Sequence, residues 1–243
     1  MTPFVQAVKE AAGELFAELQ KGWRPELAEH GGAVGAGGDE STRVDRLAEA
    51  IYIRHLQPFG KIDSEECGLI GQGEATVVLD PIDGSSNLLS GLPYYGSSAA
   101  LERNGRVEEA VVVNLANGDF FFKTSQGFFR QKLWDEEAVD VTVRPNGKIG
   151  LFEKVYEAPE LALSLMRQKI KFRAPGAVAL SLAYAHDVEF VIFAGPRRRY
   201  DFAAALWMCE ELALHQEREL LIVSKSAQTL EKIRRLVQNE ERV

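Results

Sequence analysis

Two Asn-Gly pairs near the middle of the chain, Asn104-Gly105 and Asn117-Gly118, constrain the fold more than any other feature of the sequence. Asn-Gly is a strong short-range hairpin signal, because both residues tolerate the positive φ that a turn matching the strand twist demands. Each pair interrupts runs of β-branched and aromatic residues, so residues 96–131 read as a meander of antiparallel strands. Phe120, Phe121, Phe122, Phe128 and Phe129 then belong to the core of that sheet rather than to a platform for stacking bases. Ahead of the meander, Phe4, Val5, Val8, Ala12, Leu15, Phe16 and Leu19 recur at helical spacing and predict an amphipathic helix over 3–20. A second helix, capped by Ser41 or Thr42, carries the stripe Val44, Leu47, Ala48, Ile51 and Leu56. Between the two, the glycine-dense stretch over 30–39 reads as a flexible loop. Beyond residue 145 the rhythm changes. Helices over 159–169, 177–185, 202–214 and 227–237 alternate with strands over 188–193 and 220–223.

The expected class is therefore α/β of the layered α+β kind, with an antiparallel half over 1–145 and an α/β half over 146–243. No linker is long enough to separate the halves, so 1–243 reads as a single domain. Lys plus Arg is 28 against 36 for Asp plus Glu, a formal charge of -8. That balance excludes a broad electrostatic grip on nucleic acid or an anionic membrane, and no apolar run reaches the ~18 residues of a span. Cys67 and Cys209 are too few for a disulfide framework, and Lys9, Glu10, Glu14 and Glu18 speak against a secretory leader. A cytoplasmic protein with neither nucleic-acid nor membrane partner is expected. His30, His55, His186 and His215 lack zinc-ligand spacing, and neither a Gly-x-Ser-x-Gly elbow nor a Walker loop occurs.

The chemistry is concentrated in Asp80-Pro81-Ile82-Asp83-Gly84-Ser85-Ser86-Asn87, which follows the buried strand Ala75-Thr76-Val77-Val78-Leu79. Pro81 stiffens the turn, so both carboxylates and the Ile82 carbonyl can converge, and hard cations such as Mg2+ take oxygen ligands of that kind. Gly84, Ser85 and Ser86 then present backbone N–H groups at a helix N-terminus, a natural seat for a phosphate. Taken alone, Asp83 also fits a simple helix cap after an Asp-Pro turn. Two further acidic elements stand at loop ends: Asp63-Ser64-Glu65-Glu66-Cys67-Gly68, and Asp201 after the basic run Arg197, Arg198 and Arg199. Asp201 is placed to cap the helix over 202–214. Together the three elements make up a plausible two-metal cluster.

In this order, Glu65-Glu66, the octapeptide from Asp80 to Asn87, and Tyr200-Asp201-Phe202-Ala203-Ala204 resemble the successive signatures of the inositol monophosphatase superfamily. The resemblance extends to residues 38–49 and 176–180. It implies a Mg2+-dependent, lithium-sensitive phosphomonoesterase with stacked α-β-α-β-α layers, usually a homodimer; Mn2+ can stand in for Mg2+. It further implies that Glu65, Asp80 and the Ile82 carbonyl hold a first metal, and that Asp80, Asp83 and Asp201 hold a second. A third ion near Glu65 would draw on Asp39 or Asp45. Glu65 and the Ser85 hydroxyl would position the attacking water. The substrate-binding set would be Asp83, Gly84, Ser85, Ser86, Gly176, Ala177, Val178 and Arg198. Ser85 and Tyr200 stand where the family typically has Thr and Trp. Inositol-type members carry a sugar-binding carboxylate a few positions before the last aspartate, whereas Phe193-Ala194-Gly195-Pro196 has none. Arg197, Arg198 and Arg199 offer positive charge there, either to a second substrate phosphate or as a solvated or dimer-facing patch. Inositol-1-phosphate and fructose 1,6-bisphosphate are thus competing substrates. A nucleotide phosphatase of the 3′-phosphoadenosine 5′-phosphate type and a regulatory scaffold that keeps the fold are the alternatives.

Overall fold

The computed structural model describes residues 1–22, 24–38 and 40–240. The chain opens with α1 (Pro3–Leu19), whose N-cap Thr2 accepts from the Val5 amide with Pro3 in the first turn, an arrangement pre-set for helix entry. Next come β1 (His30–Val34) and β2 (Glu40–Thr42), an antiparallel pair where a loop was expected. The residues that follow β1 find partners on a neighbour: the Ala36 and Gly37 amides donate to the Glu66 and Glu65 carbonyls, at 3.1 and 2.7 Å. Such long-range pairing is invisible in a local glycine count. Helix α2 (Arg43–Leu56) starts at Thr42 with a full capping box to Asp45.

β3 (Lys61–Ser64), β4 (Gly68–Ile70) and β5 (Thr76–Asp83) follow, then the short α3 (Ser85–Leu89) and the meander β6 (Gly96–Arg103), β7 (Arg106–Asn114), β8 (Asp119–Thr124) and β9 (Gly127–Lys132), with β10 (Val139–Asp140) at its edge. Asn104 and Gly105 adopt φ of 52° and 72°, the two-residue turn expected of Asn-Gly. The second pair does something else. Asn114 Oδ1 accepts from the Ala116 and Asn117 amides and its carbonyl from the Gly118 amide, so residues 115–118 form a longer loop closed by a side chain.

The second half comprises β11 (Gly150–Glu153), α4 (Pro159–Arg167), β12 (Phe172–Arg173), α5 (Val178–Ala183), β13 (Phe190–Ala194), α6 (Arg199–Met208), β14 (Ala213–Gln216), β15 (Leu220–Ser224) and α7 (Ala227–Glu240). The helix expected over 202–214 is thus shifted. It begins three residues earlier and stops at Met208, because Ala213–Gln216 pairs with β15 as an edge strand of alternating burial. Asp201 consequently lies inside the first turn of α6 rather than at its cap, which is Arg198; there its charge still faces the positive end of the helix.

Among the described residues one sheet has eight strands in the order β10-β9-β8-β7-β6-β5-β3-β4, and another has five, β12-β11-β13-β15-β14. Period-two alternation allots their side chains to layers. Val77, Leu79, Ala99, Leu101, Val111, Val113, Phe120 and Phe122 face α1 and α2. Val78, Ala100, Ala110, Val112 and Phe121 face α5 and α6, which meet Val191, Phe193, Leu221 and Val223 of the second sheet on their other side. Phe190, Ile192 and Ile222 pack on the far face with Leu161, Leu165 and Ile233 of α4 and α7. The sequence of layers is α-β-α-β-α, as the resemblance implies. It leaves the ends of β3, β5 and β11 and the N-termini of α5 and α6 around one opening.

Candidate metal centre and active site

β5 is antiparallel to β6 up to Asp80↔Ser98, and the register slips before it resumes at Asp83↔Gly96. Pro81 and Ile82 form the bulge. The Ser97 hydroxyl donates to the Pro81 carbonyl at 2.7 Å, so the irregular backbone is satisfied from the neighbouring strand. The slip keeps Asp80 and Asp83 on the same side of the strand end. Asp80 is 1% exposed, and neither of its carboxylate oxygens has a hydrogen-bond partner.

Glu65 is carried by the turn between β3 and β4. Its amide donates to the Leu79 carbonyl at 3.0 Å, and buried Glu49 braces the turn by accepting from the Ser64 hydroxyl and, at 2.9 Å, from the Cys67 amide. A Cβ on Gly37 would lie 2.5 Å from Glu65 Cγ, so only glycine lets the loop after β1 close over that carboxylate. Glu65, Asp80 and Asp201 each present an oxygen within 4.8 Å of the others. Burial drives the Asp80 carboxyl well above its ordinary range, and repulsion from Glu65, Asp83 and Asp201 adds to it. Burial also lifts Glu65 to about 7, opposed by Arg198 and reinforced by Asp201 and Glu66. A dry, unpartnered carboxyl among three others keeps its proton or takes up a cation, and an all-oxygen donor set suits a hard divalent ion.

Asp83 does cap a helix, but a distant one. Its two oxygens accept from the Val178 and Leu180 amides at the start of α5, at 2.9 and 3.0 Å. It borders the same cavity, though it lies outside the tight set formed by Glu65, Asp80 and Asp201. Burial and the nearby Asp201 raise its carboxyl, while the two amides work against the shift. Gly84 sits at φ +86°, and a Cβ there would come within 3.0 Å of Ala177 Cβ and 3.1 Å of the Tyr94 carbonyl oxygen. Asn87 Nδ2 donates to the Tyr94 and Pro175 carbonyls, both at 2.7 Å. The octapeptide therefore clamps the 174–178 segment as well as supplying carboxylates.

A cavity of about 390 Å³ opens over these groups. Of the expected residues, Glu65, Asp80, Ile82, Asp83, Gly84, Ser85, Ser86, Gly176, Val178, Arg198 and Asp201 line it. Ala177 does not: it is 1% exposed and packs into the core behind the wall. Asp45 lines the cavity while one of its oxygens closes the α2 capping box, and Asp39 lies outside the described residues. The three arginines part company. Arg197 reaches the Glu217 carbonyl at 2.8 Å, and Arg199 bridges Asp63 and Glu102 of the first sheet. Arg198 turns inward onto Glu65 at 2.6 Å and Asp201 at 3.1 Å. They form neither one basic patch nor a set of charges extended towards solvent.

Sequence reading missed Glu153, Lys154 and Tyr156 on the cavity wall. Glu153 is 1% exposed at the end of β11, accepts from the Gly176 amide at 3.0 Å and also from the Ser181 hydroxyl. The same signal that marks Asp80, a carboxylate closing a short apolar strand, was present in Leu151-Phe152-Glu153.

The model of the inositol monophosphatase family matches residues 1–213. This chain belongs to that family. A fructose-1,6-bisphosphatase/inositol-1-monophosphatase of Archaeoglobus fulgidus is 27% identical over 187 residues, covering 73% of this chain and 70% of that one. The Nus factor SuhB of Escherichia coli K12 is 32% identical over 187 residues, covering 71% and 69%. Among solved structures, the extragenic suppressor protein suhB of Bartonella henselae superimposes with a TM-score of 0.77 at 20% identity, covering 96% of each chain. The inositol monophosphatase fold accordingly extends through β15 and α7, past the last residue that the family model matches.

Proposed function

We propose that this member of the inositol monophosphatase family is a Mg2+-dependent phosphatase acting on the monoester of a sugar or polyol, with inositol-1-phosphate and fructose 1,6-bisphosphate as the two candidate substrates. One observation carries the reading: Asp80 is dry, unpartnered and within reach of Glu65 and Asp201. Glu65, Asp80 and the Ile82 carbonyl would hold one ion, and Asp80, Asp83 and Asp201 another. Ions bound there supply the positive charge that stabilises the developing phosphoryl negative charge and acidifies water.

The remaining chemistry falls to the chain. Glu65 stands at the cavity wall, where it can orient a water and hold its proton, and the Ser85 hydroxyl offers the same water a second contact. The Ser85 and Ser86 amides stand ahead of the first bonds of α3, which Asn87 and Leu88 donate to the Gly84 carbonyl, and favour a phosphoryl oxygen. Asp83, tied to two α5 amides, fixes the spacing between α3 and the Gly176 wall. Lys154 and Tyr156, on the cavity wall, would face the alcohol end of a substrate whose phosphate sits over α3. In this reading Mn2+ supports turnover, Li+ inhibits it, and the active species is a homodimer of single-domain chains in the cytoplasm.

Phosphate release with Mg2+ from inositol-1-phosphate, fructose 1,6-bisphosphate and 3′-phosphoadenosine 5′-phosphate tests the proposal, with Asp80→Asn as control. Turnover of a sugar or polyol ester by the parent alone supports it; equal release by both proteins overturns the site. The SuhB relative is named a Nus factor, which favours a second reading, a protein or nucleic-acid partner of the same fold. A partner retained by inactive Asp80→Asn protein would establish that reading beside the first.

A further inference from the structure

We propose that Arg198 is a resident cation of the acidic centre, standing in the place of a second metal ion, so that the substrate-free protein takes one divalent ion tightly and a second only when Arg198 is drawn away. The inference rests on the metal-centre reading above and deepens it.

The contacts are those of a counter-ion. Arg198 Nη1 lies 2.6 Å from Glu65 Oε1, Nε lies 3.1 Å from Asp201 Oδ2, and Nη2 lies 3.4 Å from Asp201 Oδ1. Two of the three carboxylates in the tight cluster therefore already share one guanidinium, in the forked geometry that makes arginine a strong carboxylate partner. An ion held by Asp201 must displace Arg198 from both of its oxygens, whereas Glu65 is engaged through Oε1 alone and keeps Oε2 for the first ion. Asp80, whose oxygens have no such partner, is left as the anchor of the first ion.

The fold delivers this side chain deliberately. Arg198 is the N-cap of α6, so its guanidinium folds back three residues onto Asp201, while Arg197 and Arg199 are held elsewhere by Glu217 and by Asp63 with Glu102. Its side chain remains 30% exposed along the cavity, so the head can leave the carboxylates without unpacking the core. Charge counting points the same way. With Glu65, Asp80, Asp83 and Asp201 ionised the centre carries four negative charges; Arg198 and one divalent ion bring it to minus one. A phosphate dianion entering the cavity is the group able to draw the guanidinium off and open room for a second ion.

The test is Mn2+ binding by titration calorimetry and by the loss of free-ion electron paramagnetic resonance signal, without substrate, on parent protein and Arg198→Met. One tight Mn2+ on the parent, and a second at least tenfold tighter on the variant than on the parent, is the expected result. Inorganic phosphate should tighten the second ion on the parent and change it far less on the variant. Equal stoichiometry and affinity on both proteins overturns the inference and leaves the metal centre standing. Absence of Mn2+ from both overturns the centre and the inference together. Should Arg198→Met not fold without metal, Arg198→Lys carries the test: it keeps the charge but loses the fork, and unchanged affinity for the second ion overturns the proposal.

Discussion

Helix α5 has a polar cluster at each end, half-buried at the C-terminus and buried at the N-terminus, and the two are built on opposite principles. At its C-terminus the Tyr184 hydroxyl donates to Asp119 at 2.6 Å and accepts from Asn114 Nδ2 at 3.1 Å, and Lys132 pairs with the other Asp119 oxygen at 2.8 Å. Burial alone would raise Asp119; the bonds from Lys132 and Tyr184 outweigh it and hold the carboxyl below its usual value. At the N-terminus lie Asp83 and, beyond it, Asp80, Glu65 and Asp201, whose repulsion a single arginine relieves in part. The first cluster is balanced from within. The second is short of positive charge and leaves its carboxyls raised, the pattern of a site rather than of a structural network.

The largest effect should separate the two clusters by sign. Asp80→Asn is expected to reduce Mg2+-dependent turnover by more than the ~10–100-fold that loss of a mere outer partner costs a metal site. It should also raise the melting temperature of metal-free protein, because a dry, repelled charge is removed. Asp119→Asn should do the reverse, keeping turnover while weakening hydrogen bonds to a charged group, worth ~1.5–3 kcal/mol. Calorimetry in EDTA and a phosphate-release assay read both, and a fall in melting temperature for both variants would erase the contrast.

The pH dependence of stability sharpens it. Glu65 stands at about 7 in the folded metal-free chain against 4.5 when unfolded. Its contribution is therefore complete below 4.5 and lost as pH rises through about 7. Asp119, lowered on folding, contributes stability that is present above 3.8 and lost as pH falls through its folded value. Denaturation midpoints in EDTA should drop between pH 5 and 8, and saturating Mg2+ should flatten that slope. A slope that Mg2+ leaves untouched would place its origin outside the acidic centre.

Tyr184→Phe removes one donor to Asp119 and the acceptor of Asn114, at an expected cost of ~1–3 kcal/mol by urea denaturation. Smallest of all, Arg199→Ala should cost ~0–1 kcal/mol, because its bonds to Asp63 and Glu102 are made by a side chain that is 46% exposed.

The meander, the helix stripes and the octapeptide were readable because each is a local pattern: alternation, 3.6-residue spacing, a proline between two acids. Where reading failed, a partner outside the segment itself decided. The helix expected over 202–214 took in Ala213 and Leu214, which instead pair with β15 as part of an edge strand. The glycine-dense stretch looked like a loop until the backbone of Glu65 and Glu66 gave its amides acceptors. Glu153 carried a local signal like that of Asp80, but its place on the cavity wall depends on β11 pairing with β13.

The same division runs through the site. Spacing and turn chemistry alone determined that two carboxylates close a buried strand and that further acidic elements, with Glu65 and Asp201, stand at loop ends; the phosphatase reading came from the resemblance to the inositol monophosphatase superfamily. Only the tertiary structure decided what each group faces. Asp83 caps a helix ninety-five residues away, Ala177 turns into the core, and three consecutive arginines reach three separate sets of partners. The physical reason is range. Side-chain periodicity and turn chemistry act over a few residues, whereas charge balance and hydrogen-bond satisfaction in a dry site depend on every element the fold brings within a few ångströms.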